Sequence, residues 1–419
     1  MSRKDRIARS VTIALVKPEN TQDRKSKLKR IRKAAKVLIT IYAVELRQHA
    51  AELFAHLRDQ WNVDSESYVG SFAPEHGKQT ALLAVGHMGY SGSTFFTTFN
   101  GRFLVKSVPR HFENSFFRDD LLQPYTDFMR DNKNSLLITI TDFLAIDDVF
   151  RFSLGVLLGL APSHHIVMEN LLVGRDEGES KGKDLWQSGH DLPTSHDSQV
   201  PWKWETWDLK PTTYFLPERD ITQGRLTSQA TKSRLADEFH EKLCLTQDQS
   251  DTFMSQLDKD SKVLAQSNAV DYSLFLVRIP VPPSEQKTPH TATHDSSTQD
   301  DNPENPFKDE TELQKGTTEG PDLASTAPTP IVPPFLPPDP PSWRTGVRSA
   351  NGKYIYRAAI LDFFWAKHKV HAKLMTGLVN FWNKIDFGGD KGPMSITTSS
   401  EEYRQRFVNM CQEYIEVLE

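Results

Sequence analysis

Residues 91–108, SGSTFFTTFNGRFLVKSV, read as a glycine turn, a strand of Phe and Thr, an Asn-Gly hairpin at Asn100 and Gly101, and a second strand carrying Lys106. This is the layout of a hairpin that covers a nucleotide. Small residues let backbone N–H groups approach phosphates, and a lysine on the next strand holds them. Ser91, Gly92 and Ser93 supply the first element and Lys106 the second. Gly-Ser turns and Asn-Gly hairpins also occur in antiparallel sheets that bind nothing, so the rest of the chain must decide.

Downstream, RHFENSFFRDDLL (110–122) reads as a helix. Glu113 there is a candidate partner for Lys106, with an exposed helix residue as the blander alternative. HHIVMENLL (164–172) is an apolar strand, either core or the hinge against which adenine lies, where Met168 and Asn170 are the candidate positions. His164 and His165 point to opposite faces of such a strand and form no ligand pair. KWETWDLKPTTY (203–214) sets Asp208 and Lys210 after an aromatic strand pattern. AQSNAVDYSLFLVRI (265–279) sets Asp271 before a hydrophobic strand, and YIYRAAILDFFW (354–365) ends a strand at Asp362. Three carboxylates and a lysine therefore stand at the ends of separate strands, where function collects; each alone reads as a turn-forming residue.

Upstream, a helical pattern runs through Leu46, Leu53, Leu57 and Trp61, and YVGSF (68–72) and ALLAVG (81–86) read as short strands. RKSKLKRIRKAAK (24–36) is a basic amphipathic helix, either a solvated face over an apolar stripe or a surface drawn to anionic lipid.

Composition sets the outer limits. The chain has 419 residues, 37% of them hydrophobic and 25% charged, enough for a sizeable core. Its 25 prolines and mean hydropathy of −0.52 point to unstructured stretches as well. A net charge of −5 gives no basic footprint for nucleic acid. Cys244 and Cys411 are the only cysteines, which argues against a disulfide framework or zinc site and for a reducing compartment. The longest apolar runs are far shorter than the roughly 20 residues of a membrane span. Residues 173–201 read as an exposed insertion and 280–342, with PPFLPPDPP from Pro333, as a disordered proline-rich one.

Taken in order, SGSTFF with the Lys106 strand, IVMENLL, DLKPT, VDYSLF and AILDF resemble the glycine loop, hinge, DLKGS, MDYSLL and IID motifs of the phosphatidylinositol phosphate kinases. ELFAHLRDQWNVDSESYVGSF (52–72) and EEYRQRFVNMCQEYI (401–415) are similar to the elements that flank them in that family. The resemblance implies an α+β fold, SAICAR synthase-like, with two lobes on antiparallel sheets and ATP in the cleft between them. The organisation expected is a basic N-terminal region (1–42), a first lobe (43–172), the insertion 173–201, a second lobe in two parts (202–279 and 343–419), and the insertion 280–342 between those parts.

The same resemblance implies site roles. Ser91, Gly92 and Ser93 cover the phosphates, Lys106 holds them, Asp362 binds Mg²⁺, Asp271 orients or deprotonates the inositol hydroxyl, and Lys210 with Asp208 completes the catalytic set. Lys367, Lys369 and Lys373 in the following segment face the lipid. Phe363, Phe364 and Trp365 either enter the headgroup boundary or pack beneath that segment. Pro211 departs from the family's Gly-Ser and puts phosphate contacts by that turn in question. The activity expected is a phosphatidylinositol 4-phosphate 5-kinase using ATP and Mg²⁺, with 3-phosphate 5-kinases as the nearest alternative and a pseudokinase scaffold as the alternative class. Expected partners are an anionic phosphoinositide membrane met from the cytoplasmic side, a second copy in a homodimer, and a protein that reads proline-rich motifs.

Overall fold

A computed structural model describes residues 3–16, 44–74, 81–85, 93–146, 162–188, 202–211, 239–282, 342–366 and 399–418. Ser91, Gly92, Lys367, Lys369, Lys373, the basic stretch 24–36 and residues 283–341 lie outside the described residues.

The first half opens with α1 (Arg3–Val16), β1 (Leu46–His49), α2 (Ala51–Gln60) and α3 (Ser65–Phe72). β2 (Leu82–Ala84), β3 (Phe95–Thr98) and β4 (Phe103–Ser107) follow, then α4 (His111–Phe116), a π turn (Phe117–Leu121) and α5 (Leu122–Asp131), and finally β5 (Ile140–Ile146) and β6 (His164–Glu169). The six strands form one antiparallel sheet in the order β1-β5-β6-β4-β3-β2. The hairpin expected from the opening motif is β3–β4, with Gly101 at φ 68° in its turn.

Two expectations change here. YVGSF is the end of helix α3 rather than a strand. Asp64 caps the helix by accepting the Ser67 N–H at 2.7 Å, and Tyr68, Ser71 and Phe72 fall on one buried face. Tyr68 and Phe72 then pack on Phe103 of β4, with ring centroids 5.0 and 5.6 Å apart. Leu46 belongs to strand β1, paired with Ile146, and not to the helix that begins five residues later. Beneath these helices, buried Asp142 is held by Arg58 at 2.9 Å and by the Tyr68 hydroxyl at 2.6 Å. The opposite face of the sheet carries Leu104, Lys106, Ile166 and Met168, as strand alternation requires. α4, the π turn and α5 pack against its β5 part, Phe117 meeting Phe143 edge-on at 5.1 Å.

Inside the expected insertion, α6 (Arg175–Ser188) is helical, a local order that the polar composition did not announce. Glu179 on it accepts the Trp204 N–H at 3.0 Å, so its first turns are tied to the strand that follows. The second half then runs β7 (Glu205–Leu209), β8 (Leu243–Leu245), α7 (Gln247–Gln266), β9 (Ala269–Val270), β10 (Ser273–Pro280), β11 (Val347–Arg348), β12 (Tyr354–Leu361), β13 (Trp365–Ala366), α8 (Ser400–Glu413) and β14 (Ile415–Val417). β11-β12-β10-β7 form a four-stranded antiparallel sheet, and β13–β9 and β14–β8 are two-stranded pairs. Thr246 and Gln249 start α7 with a reciprocal capping box. The chain leaves the second sheet after Val281, whose N–H donates to Lys353 O at 2.9 Å, and is back by Trp343, whose carbonyl accepts the Ala358 N–H at 2.8 Å.

The two sheets are joined by residues 135–138. Ile138 N–H donates to Ile360 O at 3.1 Å, and the Ile360 N–H donates back to Leu136 O at 2.6 Å. Asp260 on α7 accepts the Ser135 hydroxyl at 2.9 Å and the Leu136 N–H. Buried Arg344 pairs with Glu169 at 3.0 Å and donates to the carbonyls of Ser135 and Leu137. No helix among the described residues is long and apolar enough to cross a membrane.

Candidate active site

The strand register brings the acidic residues together. Ser273 pairs with Leu361 in β10–β12, and Val270 pairs with Trp365 in β9–β13. Between these pairs the ladder is interrupted, and the interruption holds Asp271 on one chain segment and Asp362 on the other. Both residues are left-handed, with φ of 65° and 62°. A non-glycine residue stays in that region only where its surroundings over-determine it, a condition common at functional sites.

Each carboxylate is matched to a lysine from another strand. The Lys210 ammonium donates to Asp271 Oδ1 at 2.8 Å and to the Asp271 carbonyl at 2.9 Å. Asp208, one register position from the end of β7 and opposite Phe275, adds a further negative charge beside Lys210. Burial opposes the lysine's charge, yet the carboxylates of Asp271, Asp208 and Asp362 hold its pKa well above the usual value. Burial also raises Asp271, against the pull of Lys210. Lys106, at the end of β4, bonds Asp362. Burial works to raise the Asp362 pKa, but Lys106 and Lys210 outweigh it and hold the carboxyl below its ordinary value. About a third of the Asp362 side chain remains accessible (35%), while Lys106 is almost covered.

Glu113 departs from both expectations. It neither points to solvent nor pairs with Lys106: its side chain is largely buried, it bonds Arg110 at 3.2 Å, and burial pushes its pKa to about 7. Lys106 is turned instead towards Asp362, because the interrupted ladder brings that carboxylate to the strand end. The rings of Phe95 and Phe364 flank the Lys106 ammonium at 5.6 and 5.4 Å. The three aromatics after Asp362 pack inward. Phe363 stacks on Tyr125, Phe364 meets Phe117 edge-on, and Trp365 meets Phe112 at 4.4 Å.

At the expected hinge, Met168 is buried on the sheet face that carries Lys106, beside Leu104. The Asn170 side chain is engaged by the fold, donating to Gly101 O at 2.7 Å and accepting the Leu172 N–H at 3.1 Å. Ser93 is described at the mouth of the hairpin, two residues before β3. Sequence reasoning passed over Arg110, whose charge reaches both Glu113 and Asp271. An arginine just ahead of an acidic helix, four residues after the key lysine, was the available signal.

The donor set suits Mg²⁺ with a nucleotide. No group of three or more His, Cys, Asp or Glu side chains among the described residues is arranged to hold a metal. Mg²⁺ asks for less, taking one or two carboxylates together with phosphate oxygens. Asp362, accessible and held ionised, fits that need.

A model of the family described as Phosphatidylinositol-4-phosphate 5-Kinase matches residues 76–414. The chain is 24% identical over 239 residues to a phosphatidylinositol 4-phosphate 5-kinase of Schizosaccharomyces pombe, covering 56% of this chain and 26% of that protein. It is 29% identical over 103 residues to a phosphatidylinositol 4-phosphate 5-kinase of Plasmodium falciparum, covering 23% of this chain and 6% of that one. The chain thus spans only a minor part of the length of either relative. With a family match over most of its sequence, this chain belongs to the phosphatidylinositol-4-phosphate 5-kinase family.

Proposed function

We propose that the chain transfers the γ-phosphate of ATP to the 5-hydroxyl of phosphatidylinositol 4-phosphate at a membrane surface. The observation that carries this reading is the meeting of Asp208, Asp271 and Asp362 with Lys106 and Lys210 around one break in a β-ladder. The two sheets serve as lobes and the nucleotide lies between them. Leu104, two residues from Lys106 on the same face, and Phe275, opposite Asp208, offer apolar surface to a base. Asp271 accepts the proton of the attacking hydroxyl, and its position is held by Lys210, whose charge also offsets that of the transferring phosphoryl group. Lys106 holds phosphate oxygens. Mg²⁺ bound at Asp362 supplies neutralisation of phosphate charge. The protein meets the membrane peripherally, and the positive charges of Lys367, Lys369 and Lys373 favour its anionic headgroups.

Pro211, the departure from the family's Gly-Ser, leaves Lys210 bonded to Asp271. The deciding experiment is radiolabelled phosphate transfer from Mg·ATP to vesicles, each with one phosphatidylinositol monophosphate isomer, comparing wild type with Asp362→Asn. Transfer to the 4-phosphate that the variant loses supports the proposal; folded wild type that labels no isomer overturns it.

A further inference from the structure

The backbone carrying Asp271 is gripped at two successive carbonyls. Asp271 O accepts from Lys210, and Tyr272 O accepts from the Tyr403 hydroxyl on α8. The second grip comes from the far end of the chain. Tyr403 is fully buried, and its ring meets the Tyr272 ring edge-on at 4.7 Å, while Phe407, one helical turn on, meets the same ring at 4.9 Å. α8 is anchored in turn to the helix that leads into the loop. The Ser400 hydroxyl donates to Ala265 O at 2.9 Å, and Arg404 pairs with Asp258. A left-handed aspartate relaxes unless neighbouring peptides are fixed, and the Tyr272–Ser273 peptide is fixed on one side by the Ser273–Leu361 pair and on the other by this hydroxyl.

We propose that Tyr403 is a positioning residue for Asp271, acting through its hydroxyl on the Tyr272 carbonyl and without touching substrate. The inference rests on the kinase reading above. A phenylalanine at 403 keeps the ring packing and leaves a buried carbonyl without its donor. The peptide plane then has freedom to turn, and a displacement of the carboxylate by about 1 Å is enough to cost on the order of 100-fold in rate.

The test compares the full chain as wild type, Tyr403→Phe and Phe407→Leu. Phe407→Leu loosens the same helix while sparing the hydrogen bond. Four quantities are measured: kcat and KM for Mg·ATP on phosphatidylinositol 4-phosphate vesicles, the melting temperature, and amide hydrogen exchange of peptides spanning 268–274. In Tyr403→Phe, kcat is expected to fall about 10- to 100-fold with KM within about twofold, and exchange at 268–274 to quicken. In Phe407→Leu the melting temperature falls while kcat is retained. Wild-type kcat and exchange in Tyr403→Phe overturn the proposal, as does loss of turnover in both variants in step with melting temperature. If wild type labels no vesicle, the kinase reading fails, and exchange alone decides: faster exchange confined to Tyr403→Phe supports positioning, and equal exchange in both variants overturns it.

Discussion

Lys210 holds Asp271 twice, by the carboxylate and by that residue's own carbonyl, so one ammonium fixes both the charge and the backbone of the proposed base. Replacing the carboxylate and disturbing the backbone are therefore separable. Asp271→Asn keeps a side chain that tolerates the left-handed region, whereas Asp271→Ala does not. Asp271→Asn is expected to lose roughly 100- to 10,000-fold in kcat, while Asp271→Ala loses activity and melts lower than Asp271→Asn. Initial-rate assays alongside thermal melts check this pair.

The Lys106 side chain is the link between the hairpin and the second sheet through Asp362. Lys106→Met removes the charge and retains the length. We expect the Mg·ATP concentration for half-maximal turnover to rise at least about tenfold, and the stabilisation by saturating Mg·ATP to shrink from the roughly 2.7 kcal/mol expected at 100 times Kd. Thermal melts across a nucleotide titration measure it. Undiminished stabilisation in the variant would remove Lys106 from the nucleotide site.

Glu113 supplies a pH signature. Burial raises its pKa in the folded chain to about 7 from an ordinary value of 4.5, so the protonated form is favoured by folding. Its contribution is fully present below about pH 4.5 and is lost as pH rises through about 7, a change on the order of 3 kcal/mol. Glu113→Gln is expected to flatten the stability profile between pH 5 and pH 8 and to exceed wild type in stability at the upper end. Urea unfolding at stepped pH reads this directly, and parallel curves for the two proteins would contradict it.

Much of the candidate site was legible in the chain because its residues stand at or beside strand ends: Lys106 and Asp208 one position inside the ends of β4 and β7, Asp362 just after β12, and Asp271 between β9 and β10. Their pairing was not. Lys106 and Asp362 are 256 positions apart; the register of β10 with β12 and of β9 with β13 sets Asp271 beside Asp362, and only the folded side chains show which lysine meets which carboxylate. The burial of Glu113 was equally hidden, since α4 carries too few residues to display a periodic face before the π turn changes its phase. At YVGSF, aromatic and β-branched residues suggested a strand, and a cap at Asp64 with packing on Phe103 made a helix.

Arg344 is a buried strut between the sheets, bonded to Glu169 and to two carbonyls of the joining segment. Arg344→Ala takes a donor from these three partners and from the Thr139 hydroxyl, and is expected to cost about 3–5 kcal/mol. Arg344→Met with Glu169→Gln removes both charges and should recover part of that loss. Urea unfolding of the single and double variants gives the comparison. A double variant no more stable than Arg344→Ala would place the cost outside the Arg344–Glu169 charge pair.

Val281 and Trp343 are both bonded to the β12 side of the second sheet, one at the exit and one at the return of residues 283–341. The described fold is in this sense already a closed circuit across Val281 and Trp343. Entropy of closing a loop rises only with the logarithm of its length, so the segment between them is nearly free to change in length. A lineage could lengthen, shorten or retarget it at little cost to Asp271 or Asp362, and an engineer could graft a reporter domain at the same port.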